Sequence, residues 1–191
     1  FFENAGGSYA CRYVIWRLSR FYKERNVQPY GSLLASEMGG IEMDEARERL
    51  ARALGVLPEE LSFGPSTSAN TYVLSQAFRS WLKPGQAIIV TDQDHEANSG
   101  PWRRLAEAGI EVREWKMRDG HLDTDDLEPL LDGAKLLCFP HCSNVVGEIN
   151  DAARICRLAR RAGDFTCVDG VIYATNALPK VRKQVADIYL Y

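Results

Sequence analysis

A chain of 191 residues with 46% hydrophobic and 26% charged residues has enough apolar material for a substantial core and the make-up of an ordinary globular protein. Its formal net charge of −3 argues against a nucleic-acid binder, which needs a basic face, and its apolar runs, such as Ala87–Val90 and Leu136–Phe139, are far too short to span a membrane. Five cysteines without a CxxC pair argue against a disulfide framework or a zinc site. The expectation is a soluble cytoplasmic protein whose partners are small molecules or a second copy of itself. Phe1–Phe2 in place of a start methionine, and the end at Tyr191, lead to the further expectation of a piece of a longer polypeptide.

Apolar spacing predicts a helix over Tyr9–Arg25, through Tyr13, Val14, Trp16, Leu18 and Phe21. A turn at Gln28–Pro29–Tyr30–Gly31 follows. Ile41, Ala46, Leu50, Ala53 and Leu54 predict a second helix, closed by Gly55. Gly64–Pro65–Ser66–Thr67–Ser68 then opens a third, with Ala69, Tyr72, Val73, Gln76, Ala77 and Ser80 along one face.

Beyond Pro84–Gly85, short apolar strands alternate with helices. The expected strands are Ala87–Thr91, Ile110–Trp115, Lys135–Phe139 and Phe165–Val168, and Ile188–Tyr191 begins another. The expected helices are Pro101–Ala108, Thr124–Leu131 and Asp151–Ala162, with Gly109 and Gly163 as left-handed caps and Pro101 in a first turn. Such alternation predicts an α/β fold, a mostly parallel sheet covered by helices on both faces in a three-layer sandwich. There is no repeat, low-complexity stretch or linker, so one domain is expected over residues 1–191, with an N-terminal helical segment.

Ligands of open parallel sheets gather beyond the carboxyl ends of the strands. Three loops there carry polar residues: Asp92–Gln93–Asp94–His95, Pro140–His141–Cys142–Ser143–Asn144, and Asp169–Gly170. The fourth element is the helix that opens at Thr67–Ser68, whose free N–H groups and positive dipole end favour a phosphate. Singly, each residue has a plain alternative. Ser66, Thr67 and Ser68 are candidates for simple helix caps, His95 for a solvated histidine, Asn144 for a turn residue, and Asp169 for the cap of the next segment. Their joint placement at one sheet edge raises the case for a binding site.

Several familiar chemistries lack their signatures. Neither Gly6–Gly7 nor Gly39–Gly40 supplies GxGxxG in a strand-to-helix setting, no GxSxG is present, and Ser99 stands where HExxH needs its second histidine. Asp123, Asp125 and Asp126 do not make a calcium loop, because Glu128 holds the glycine position. They read as the acidic first turn of a helix, and no metal site is expected.

The motifs Phe2–Gly7, Asn26–Pro29, Phe63–Pro65, Asp94–Asn98 through Pro101–Trp102, His141–Gly147 and Val168–Gly170 resemble, in order, those of the aminotransferase class V group of pyridoxal-phosphate enzymes, especially its cysteine-desulfurase-like members. The resemblance implies a fold-type I large domain, here incomplete and without its C-terminal small domain, and pyridoxal 5′-phosphate as cofactor. It implies that Thr67 and Ser68 bind the coenzyme phosphate, His95 stacks on the pyridine ring, Asn144 hydrogen-bonds the phenolic oxygen and Asp169 pairs with the pyridine nitrogen. His95 and Asp169 are the implied catalytic residues, the substrate is an amino acid, and the parent protein is a homodimer.

The chain departs from the pattern at two points. Ile172 stands where relatives offer Gln, His or Ser, and the family's Schiff-base lysine is expected a few residues past the strand that begins at Ile188. Lys180 and Lys183 come earlier, in what reads as a solvated segment, and Cys142 reads as an ordinary free thiol. The expected function is that of a pyridoxal-phosphate-dependent transferase or lyase, with this chain alone inactive. The alternative is a non-catalytic domain that keeps the fold for binding or dimerisation.

Overall fold

The structure is a computed structural model and describes residues 9–191; the motif at Phe2–Gly7 lies outside the described residues. The chain divides into two compact units, Phe1–Leu61 and Ser62–Tyr191.

The first unit contains two helices, α1 (Arg12–Glu24) and α2 (Leu34–Leu54). No residue of α1 is buried, and Tyr13, Val14, Trp16 and Leu18 are each more than half exposed. Glu42 of α2 draws three arginines of the α1 region, lying 3.3 Å from Arg17, 3.8 Å from Arg20 and 3.5 Å from Arg25. α2 starts well before Ile41, at Leu34. Gly39 and Gly40 both lie inside this helix, and at Gly40 a side chain has no room: a Cβ there would lie 2.6 Å from the Tyr30 ring. Gly55 ends α2 at φ 73° with its N–H returned to the last turn, as the sequence predicts.

The second unit is a parallel five-stranded sheet in the order β2-β1-β3-β4-β5, built from β1 (Ala87–Thr91), β2 (Glu111–Trp115), β3 (Ala134–Pro140), β4 (Phe165–Asp169) and β5 (Ile188–Leu190). Successive side chains of a strand face opposite ways. Ile88, Val90, Leu136, Cys138 and Cys167 therefore enter one core, while Ala87, Ile89, Leu137, Phe139 and Val168 enter the other. The first core is closed by α3 (Thr67–Trp81), through Leu74 and Phe78, and by Trp102 of α4 (Glu96–Arg103). The second is closed by Leu127 of α5 (Thr124–Leu127) and by Ile155, Cys156 and Ala159 of α6 (Ala152–Ala162). Both faces are covered, as the unbroken apolar strands require.

The α3 residues Tyr72, Val73, Gln76, Ala77 and Ser80 share one face, as expected, and that face is exposed, while Thr71, Ser75 and Phe78 on the other side reach the core. Two expectations are corrected. Pro101 is interior to its helix. α4 starts at Glu96, where His95 Nδ1 accepts the Ala97 N–H at 3.0 Å, and it tightens to a 3₁₀ turn at Arg104–Ala108 just past the proline. The segment around Lys180 is not all solvated loop: it forms α8 (Val181–Gln184) after α7 (Val171–Asn176), with Pro179 buried, although Lys180 and Lys183 are exposed. The acidic group holds as read, with Asp123 capping α5 by accepting the Asp125 N–H at 2.9 Å.

Candidate functional site

The chain runs from β1 out to β2 and then crosses back to β3, so the direction of winding reverses between β1 and β3. A crevice beyond the carboxyl ends of two such strands is where parallel sheets hold ligands. The loops after β1, β3 and β4 meet at this edge.

Side chains that the sequence did not single out join these loops. Gln93 sends Nε2 to Gly120 O at 2.9 Å and accepts Asn150 Nδ2–H at 2.7 Å, while Asn150 also donates to Pro140 O at 2.7 Å. Ser143 Oγ donates to Gln93 O at 3.2 Å. The backbone N–H of His141 donates to Asp169 O at 2.7 Å, carrying the connection across to β4.

Asp169 closes β4 and is 8% exposed. Its Oδ1 accepts the Val171 N–H at 2.9 Å, so it does cap the next segment. Burial pushes its carboxyl above the usual range, against the opposing pull of that N–H and of His95 nearby. His95 itself is exposed, and its Nδ1 is engaged by the Ala97 N–H. Asp94 is within electrostatic reach of Asp169, and burial and then the Asp169 charge push its carboxyl up to about 8.

Thr67 and Ser68 are the first two residues of α3; Ser66 is the cap and accepts the Ala69 N–H at 3.2 Å. Among the described residues no hydrogen bond takes up the Thr67 and Ser68 N–H groups. Thr67 is tied to the β1 loop, since Thr71 Oγ1 lies 3.0 Å from Thr67 O and 3.3 Å from Asn98 Oδ1, and Asn98 meets Asp94. Asn144 is half-buried next to Ser143, and no hydrogen bond to a described residue fixes its side chain. His95 and the start of α3 are thus linked through Asp94 and Asn98, the Asp169 charge acts on Asp94, and the loop that carries Asn144 is tied to Gln93 through Ser143.

Below Asp169 lies an aromatic group. His141 stacks on Tyr173 at 3.7 Å between centroids, and its Nδ1 lies 2.7 Å from Tyr189 Oη. Burial lowers the His141 pKa and raises that of Tyr189, so the pair is a neutral imidazole and a phenol. Polar residues immediately after apolar strands were the available signal for Gln93 and His141; nothing local marked Tyr173 or Tyr189. Among the described residues there is no cluster that could hold a metal ion, and no helix is long and apolar enough to cross a membrane.

The second unit thus holds open N–H groups at a helix start, which suit an anion, together with an exposed imidazole and a buried carboxyl at the ends of the strands. The chain is similar to known proteins along its whole length. The chain is 30% identical to an aminotransferase-like protein of Gibberella zeae, covering 100% of this chain and 50% of that protein. It is 34% identical to a cysteine desulfurase of Serratia proteamaculans, over 78% of this chain and 38% of the relative. An apo cysteine desulfurase structure from Thermococcus onnurineus superposes with a TM-score of 0.93 at 27% identity, over 98% of this chain and 48% of that one. The chain therefore spans about half the length of the curated relatives it matches. The sequence profile of the class V aminotransferases matches residues 1–191, and the chain belongs to the aminotransferase class-V family.

Proposed function

We propose that the loop cluster holds pyridoxal 5′-phosphate and that the parent protein acts on an amino acid, as a cysteine-desulfurase-like lyase or as an aminotransferase. The observation that carries this reading is the buried Asp169 carboxylate, set beside His95 at the switch point of a parallel sheet. The donor set fits the coenzyme. Thr67 and Ser68 would bind the phosphate through their N–H and hydroxyl groups. His95 would lie against the ring, and Asn144 would donate to the phenolic oxygen from a side chain not otherwise committed. Asp169 would keep a proton on the ring nitrogen, since a nearby negative charge favours the cation. When bound, the coenzyme supplies an electron sink for the amino-acid carbon.

Ile172 is half-buried on α7 and offers no polar contact, so one ring interaction of the relatives is missing from this proposal. Lys180 and Lys183, exposed on and beside α8, are assigned no covalent role. We place the anchoring lysine in the parent protein beyond Tyr191 and treat that protein as a homodimer, in line with the family.

The test is a titration with pyridoxal phosphate followed by borohydride reduction and peptide mapping. Saturable binding to this chain, weakened by His95→Ala, with a single lysine adduct only in the longer protein, is expected. If neither form binds beyond what free lysines do, the fold has been kept for binding or dimerisation instead.

A further inference from the structure

We propose that Asp94 is held as a neutral carboxylic acid that donates a hydrogen bond to Asn98, leaving Asp169 as the one negative charge of the pair. Thr71 and Asn98 are 0% and 1% exposed, so their polar atoms must be satisfied inside the protein. The Thr71 hydroxyl has one hydrogen and two oxygen neighbours, Thr67 O at 3.0 Å and Asn98 Oδ1 at 3.3 Å. The nearer oxygen takes it. The Asn98 oxygen would then face the lone pairs of the hydroxyl.

A half-turn of the Asn98 amide, which exchanges nitrogen for oxygen in the same outline, removes the conflict. Nδ2 then donates to Thr71 Oγ1, and the amide oxygen faces Asp94 Oδ2. Two acceptors in contact need a hydrogen between them, and it is the Asp94 proton. Asp94 Oδ1 keeps its role as carbonyl acceptor of the His95 N–H at 2.8 Å.

The groups that face Asp94 agree. Burial and the Asp169 charge favour the neutral form; Asn98, the His95 N–H and Arg103 favour the anion by less. In the rotated arrangement the Asn98 contribution no longer opposes. Arg103 is engaged elsewhere, 2.7 Å from Glu114, and Cys138 is a buried thiol with a raised pKa that adds no charge. The result is a directed chain, Asp94 to Asn98 and Asn98 to Thr71 to Thr67, from the Asp169 end of the site to the start of α3. Its use rests on the coenzyme reading: one carboxylate charge, not two, stands where a single ring cation would sit.

Asp94→Asn mimics the neutral acid, with an amide hydrogen for Asn98 and a carbonyl for His95. The experiment is infrared spectroscopy of the ¹³C-aspartate-labelled chain at about pH 6.5, between the ordinary and displaced carboxyl pKa values, without coenzyme. The wild-type-minus-Asp94→Asn difference is expected to contain a protonated-carboxyl band, which persists in Asp169→Asn. A difference spectrum without that band, or loss of the band in Asp169→Asn alone, overturns the proposal. In the wild-type chain, nuclear Overhauser contacts from the Asn98 amide protons to the Thr71 methyl are expected, and contacts to the Asp94 β-protons instead overturn it without any variant. Coenzyme titration of the same samples separates the two readings, since the band without binding would remove only the coenzyme.

Discussion

The ring of Tyr189 occupies the space that a side chain on Gly170 would need: a Cβ there would lie 2.2 Å from Cε1 and 2.3 Å from Oη. β5 therefore lies hard against the backbone that presents Asp169, with the Gly170 N–H donating to Leu190 O at 2.7 Å. Gly170→Ala should force the ring away and cost about 1–3 kcal/mol, the usual range for overpacking. Urea unfolding checks this, and wild-type stability in the variant would mean that Tyr189 is free to move.

Tyr189→Phe keeps the ring and removes only the hydroxyl that meets His141 Nδ1 at 2.7 Å. A loss of about 1 kcal/mol is expected from one hydrogen bond. A much smaller loss, measured against wild type under the same denaturant, would mean that water replaces the hydroxyl.

The two displaced pKa values act in opposite senses on stability. Asp94 has a folded pKa of about 8 against an ordinary value of 3.8, so the folded state binds the extra proton between them and stability falls as pH rises through that window. Asp94→Asn should flatten this slope. His141 has a folded pKa below its unfolded value, so the unfolded state binds the extra proton and stability is lost as pH falls through the folded pKa. His141→Gln should therefore lessen acid sensitivity below about pH 6.5. Melting temperature against pH for the two variants and wild type reads both, and parallel curves would contradict both assignments.

Gln93→Ala would remove the side chain that joins Gly120 and Asn150. About 2 kcal/mol of destabilisation is expected, since buried polar groups lose their partners. A variant with unchanged unfolding but weaker coenzyme binding would show that the link orders the site without stabilising the fold.

Thiol accessibility tests the core. Cys138, Cys156 and Cys167 are buried and Cys11 is exposed. Native alkylation should reach Cys11 first, Cys142 slowly because its pKa is raised, and the buried three only on unfolding. Mass mapping over time reads the order, and early labelling of Cys138 would contradict the packing of β3.

Local chemistry made much of this protein legible. Strand β1 runs over Ala87–Thr91 as the sequence predicts, and Gly55, Gly109 and Gly163 all cap helices in the left-handed region, because short apolar runs and positive-φ glycines are decided by neighbours in sequence. The polar residues that end β1, β3 and β4 could be read in the same way, as could the first turn of α3. The strand order, with its reversal between β1 and β3, could not, since it depends on which strands pair across long stretches of intervening chain. Nor could the influence of the Asp169 charge on Asp94, the seat of Tyr189 on Gly170, or the fit of helical Gly40 against the Tyr30 ring. Each is an interaction between distant segments, in which packing and the solvation of charge override local preference.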